Sequence, residues 1–106
     1  MNAPSHLVPL LLPVYDNEGR PFPRSRFEQV RRTLTEKFGG VTAYSRAPAE
    51  GHWKEADDAT TRDDVVIYET MVDQLDRAWW SSFKEELRDQ FQQEELIVRA
   101  LPIELL

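Results

Sequence analysis

An α+β fold, with four antiparallel strands in one sheet and two helices on one of its faces, is predicted by three features of this sequence. Strand-like and helix-like segments alternate in the order strand, helix, strand, strand, helix, strand. Two of the strands are apolar on both faces. Each helical segment carries one apolar stripe at three- and four-residue steps.

Residues 6–16 read as the first strand. Leu7, Val8, Leu10, Leu11, Leu12 and Val14 occupy both parities, so both faces of this strand are expected to be covered. Pro9 and Pro13 cannot donate to a ladder and should sit at a bulge or an unpaired position. The run is too short to span a bilayer, no basic residue precedes it, and two prolines interrupt it, so it is neither a membrane span nor a signal peptide. A turn-rich segment, 16–25, leads to Ser25 and Glu28, spaced as a capping box. The first helix is therefore expected over 26–38, with Phe27, Val30, Leu34 and Phe38 on its buried stripe and Gly39 as its left-handed stop.

Residues 41–47 alternate as a strand with Val41, Ala43 and Ser45 on one side and Thr42, Tyr44 and Arg46 on the other. Residues 64–72 form the clearest strand, with Val65, Ile67 and Met71 on one face and Val66, Tyr68 and Val72 on the other. Asp73 or Asp76 can cap a second helix over 76–92, whose stripe is Trp79 or Trp80, Phe83, Leu87 and Phe91. A last strand is expected over 96–101, ended by Pro102 and followed by the apolar tail 103–106.

That order is the ferredoxin-like βαββαβ arrangement, in a single domain spanning 1–106. Right-handed crossovers place both helices on one face and make the first and third strands central. Those are the two most apolar strands, so the helix-free face should expose Leu, Val, Ile or Tyr. An apolar patch of that kind marks an interface or a ligand site, and sheet-to-sheet packing in a two-fold homodimer is the expected cover. The alternatives are the apolar tail or the 48–63 loop.

The chain has 106 residues, no cysteine and a formal net charge of −6. The missing cysteines remove disulfides, thiolate nucleophiles and sulfur-ligated zinc, and they fit a cytoplasmic protein. The net negative charge argues against nucleic acid as a partner. Charge is uneven, at +5 over residues 20–46 and −4 over 73–95. Two solvated helix faces account for this, and attraction between the helices or between subunits is the sharper reading.

Gly39 and Gly40 follow a helix, whereas phosphate-binding loops precede one, so the pair reads as a stop. His6 and His52 have no metal-binding spacing, and neither a metal nor a cofactor is expected. His52 is the candidate catalytic residue, as a general acid/base oriented by Glu50 or Glu55, and otherwise a solvated loop side chain. Trp53 either pins its loop or walls a ligand. Tyr44, Arg46, Tyr68 and Glu69 would meet if the second and third strands pair. The two tyrosines would then form a cross-strand pair, and Arg46 could hold a carboxylate or phosphate. The candidate ligand-binding set is thus Tyr44, Arg46, His52, Trp53 and Tyr68. No serine nucleophile elbow, dinucleotide fingerprint or RNA-binding aromatic signature is present.

Phe38, Gly40 and Thr42 (F-x-G-x-T), Gly51 and Trp53 (G-x-W), and Arg62, Asp63 and Val66 (R-[DE]-x-x-V) form a pattern over most of the chain. It resembles that of a group of short bacterial proteins with no assigned activity. The resemblance makes the 51–63 loop part of the group's pattern and implies no mechanism.

The function expected from these features is a dimeric binding or interaction module that uses the open sheet face or the 48–63 loop. One alternative is a small cofactor-independent enzyme of the dimeric α+β barrel type acting on an anionic small molecule, with His52 as acid/base and Arg46 on the anion. Another is an accessory subunit of a larger enzyme. The expected partners are a second copy, a small anion or another protein, without nucleic acid or membrane.

Overall fold

Val8, Leu10 and Leu12 alternate from the first strand into the core, each at most 1% exposed, and the architecture is built around them. The computed structural model describes residues 3–46 and 64–106. The elements are β1 (His6–Pro13), α1 (Arg24–Phe38), β2 (Thr42–Arg46), β3 (Val65–Val72), α2 (Arg77–Gln90) and β4 (Leu101–Pro102). The sheet order is β2-β3-β1-β4, and every neighbouring pair is antiparallel. This is the expected ferredoxin-like α+β fold, with β1 and β3 central.

The core lies between the sheet and the helices. Val30 and Leu34 from α1 meet Trp80, Phe83 and Leu87 from α2, over Val8, Leu10, Leu12, Tyr68 and Val72 from the strands. Each fully buried aliphatic side chain contributes about 1.5–3 kcal/mol relative to exposure. The helices are joined mainly by aromatic contact. The Phe38 and Trp80 rings stack with centroids 5.3 Å apart, and Phe91 packs against both Phe22 and Phe27 at 5.1 and 5.2 Å. Among the described residues no ion pair links the basic α1 to the acidic α2. The Arg26 guanidinium instead donates to the Gln90 carbonyl.

Several boundaries differ from expectation for local reasons. α1 starts at Arg24, not 26. Pro23 is its N-cap, with no side-chain cap hydrogen bond, and Arg26 N–H already donates to Pro23 O. Ser25 therefore lies inside the first turn and cannot form the capping box with Glu28. The stop of α1 is as expected: Gly39 has φ +85° and its N–H donates to Thr35 O at 2.8 Å.

Asp76 caps α2, accepting from Trp79 N–H at 3.1 Å. α2 ends at Gln90 rather than 92. Gln92 takes φ +53°, and Gln93 N–H reaches back to Arg88 O at 3.0 Å. This is a Schellman stop made with glutamine instead of glycine, so no sequence signal marked it.

β1 ends at Pro13 rather than 16, because the chain then turns at Asp16. The Asp16 carboxylate accepts from the Glu18 and Arg20 amides at 2.9 Å, and Gly19 takes φ +79°.

The largest correction concerns the last strand. Instead of a continuous run over 96–101, β4 has two residues, plus one isolated bridge from Val98 to Leu10. Leu101 pairs with Leu7 and Pro102 with His6, so Pro102 belongs to the strand it was expected to end. Bridge and strand share one register, in which Arg99 lies opposite Pro9. Val14 N–H donates towards β3, to Asp64 O at 3.1 Å. Amide direction alternates along a strand, so the Pro9 and Pro13 nitrogens face the β4 side. Pro9 has no hydrogen to give there, and the ladder breaks at 99–100. No bulge is needed, because the β1–β3 pairing runs unbroken from residue 6 to 13.

Candidate functional site

The helix-free face is set by strand register, since directly opposed residues share a face. Leu101, Leu7 and Met71 form one row across β4, β1 and β3, and Leu11, Ile67 and Tyr44 form another across β1, β3 and β2. Between them runs Pro9, Glu69 and Thr42. Four large hydrophobics are more than a third exposed here: Leu11 at 37%, Tyr44 at 48%, Met71 at 47% and Leu101 at 44%. Neither helix approaches this face. The C-terminal tail does not bury it, as Leu105 and Leu106 are themselves exposed. Ile103 N–H donates to Ser5 O at 3.0 Å, which carries the tail on alongside β1.

Glu69 sits half-buried at the centre of β3, the acidic side chain of that strand, between the two apolar rows. On the opposite face the same strand turns Thr70 inward, where its hydroxyl donates to Gly40 O at 2.8 Å.

The sequence-predicted site residues are not gathered in one place. Tyr44 opposes Ile67, while Tyr68 opposes Ala43. The two tyrosines are thus one residue out of step and lie on opposite faces, and the expected cross-strand pair does not form. Tyr44 belongs to the open face. Tyr68 is buried under α1, its hydroxyl donating to Phe27 O at 3.4 Å. Burial pushes its phenol pKa up, an effect offset in part by Arg31 and reinforced by Glu28. It is a core residue and cannot wall an open-face ligand with Tyr44. The backbone of Arg46 pairs with Val65 at the end of β2. His52, Trp53, Glu50 and Glu55 lie outside the described residues, as does the 48–63 loop.

A second concavity, of about 450 Å³, lies between α2 and the β4 edge and is lined by Arg77, Lys84 and Arg99 among others. None of these stood out in the sequence as a site residue. The available signal was the seven-residue spacing of Arg77 and Lys84, which puts both on one side of α2. Among the described residues no group of three metal-ligating side chains occurs, and no helix is long and apolar enough to cross a membrane.

No protein-family model matches the chain, and no curated protein matches it. Among solved structures, the chain is similar to a phage SAM lyase in complex with S-methyl-5′-thioadenosine. The TM-score is 0.58 at 11% identity, over 96% of this chain and 84% of that one. At that identity the likeness concerns the fold.

Proposed function

We propose that this protein is a binding and interaction module whose working surface is the helix-free sheet face, and that its first partner is a second copy of itself. The observation that supports this is the concentration of exposed Leu11, Tyr44, Met71 and Leu101 on that one face. Apolar rows of this kind are covered in most soluble proteins, and a two-fold axis covers both copies at once. Glu69 constrains the pairing. Two sheets meeting directly at their centres would bring two carboxylates together, so the sheets must be offset or each Glu69 must meet a basic group.

Sedimentation equilibrium of the full chain tests this reading. A dimer is expected in the wild type, and a monomer with unchanged circular dichroism in the Leu11→Lys/Met71→Lys variant. A wild-type monomer at about 100 µM, a concentration at which even weak assemblies are populated, would overturn it.

The second reading is that the same fold carries small-molecule chemistry, as a cofactor-independent enzyme. The similarity to a lyase structure holding S-methyl-5′-thioadenosine favours it. Calorimetric titration with that nucleoside is the direct test. Saturable binding lost in Glu69→Gln would support a site on the open face, and no heat up to about 1 mM would remove this reading.

A further inference from the structure

The cleft between α2 and the β4 edge joins three features that do not belong together in an ordinary surface groove. The first is charge. Arg77 and Lys84 reach it from α2, with His6 at the β1 end, and no Asp or Glu lines it; Arg99 also borders it, but its place opposite Pro9 turns its side chain towards the helix-free face. This is a cationic concavity in a chain whose net charge is −6. Among the described residues, neither Arg77 nor Lys84 makes an ion pair or hydrogen bond. The nearby helix-start carboxylate, Asp76, is engaged with the Trp79 amide.

The second feature is Trp80, which lines the cleft and is only 6% exposed. Its indole nitrogen is buried and has no hydrogen-bond partner among the described residues. Native proteins rarely leave such a donor unmet.

The third is shape. Val8, Leu75 and Val98 give the cleft an apolar lining, and its volume of about 450 Å³ is that of a small-molecule site. Its strand side is bordered by Val98, Ala100 and Pro102, next to the point where Pro9 interrupts the β4 ladder.

We infer that this cleft is a binding site for a small organic anion, an aromatic or apolar body carrying a carboxylate or phosphate. The body would rest on Trp80 and the valines. The anionic head would take charge-assisted hydrogen bonds from Arg77 and Lys84. The site is independent of the open sheet face, and its fate does not depend on whether the protein dimerises.

The test is a titration of the isotope-labelled full chain with phenyl phosphate, benzoate or inorganic phosphate, followed at the three tryptophan indole resonances. Trp80→Phe assigns the relevant one. A saturable shift of the Trp80 indole is expected with phenyl phosphate, benzoate or both, at a Kd of about 1 mM or tighter. The better of the two identifies the head group. Arg77→Gln/Lys84→Gln changes two side chains that make no ion pair or hydrogen bond among the described residues, so the fold should persist while affinity falls roughly tenfold or more. No saturable shift with either aromatic anion, or a shift that survives the double substitution, overturns the site. Equal affinity for inorganic phosphate overturns the ligand class, because the apolar lining would then contribute nothing.

Discussion

The Thr70 hydroxyl donates to the Gly40 carbonyl across 2.8 Å, tying the exit of α1 to the middle of a central strand. Thr70 is only 3% exposed, the one buried polar side chain of the described core. Gly40 itself is exposed, so water can replace the lost donor there. Thr70→Val, which keeps the shape and removes the hydroxyl, should therefore cost about 1 kcal/mol rather than the full penalty of an orphaned buried carbonyl. Urea denaturation checks this, with an unchanged slope and a lower midpoint as the expected result.

One residue earlier in the same connection, Gly39 holds φ +85°, and a methyl group at its Cβ position would meet no atom within 4 Å. The cost of Gly39→Ala is thus backbone strain without steric clash, about 1–2 kcal/mol. Gly39→Asn should recover part of that loss, since asparagine tolerates the left-handed region. Equal losses for the two variants in thermal denaturation would show that something other than φ governs this position.

Tyr68 makes stability depend on alkaline pH. Burial raises its pKa above the ordinary value of 10.0. With the folded-state pKa raised, the folded protein keeps a proton that the unfolded chain releases. The contribution is fully present below pH 10.0 and is lost as pH rises from there through the folded-state value. Tyr68→Phe should flatten that part of the stability profile. Phenolate absorbance in the folded wild type should show one tyrosine titrating later than in the variant.

The two-faced apolar character of β1 and β3 was legible because period-two patterning is local, and it led directly to the open face. The α2 stripe was legible for the same reason, with Trp80 rather than Trp79 as its buried member. What could not be read were features set by a partner strand. Tyr44 and Tyr68 look like neighbours in two pairing strands, yet a register one residue different puts them on opposite faces. The Schellman stop at Gln92 lacks its usual glycine, and the walls of the cleft come from α2 and the β1–β4 edge, which only the fold brings together.

Pro9 makes the last of these tertiary effects testable. Its nitrogen faces Arg99 across the β1–β4 edge, and the ladder holds on either side of that point, at Leu10–Val98 and Leu7–Leu101. Pro9→Val supplies the missing donor without changing the polarity of the position. The new hydrogen bond is worth about 1 kcal/mol, and the greater freedom of the unfolded chain costs a similar amount, so net stability should hardly move. The informative reading is hydrogen exchange at the amide that the substitution introduces. Slow exchange at residue 9 is expected, with a strand continuous from 98 to 102. Pro13→Val is the control, because its nitrogen faces the same side beyond the last β4 contact and its new amide should exchange freely. Rapid exchange at residue 9 would mean that the chain at 99–100 is held away from β1 by something other than the proline.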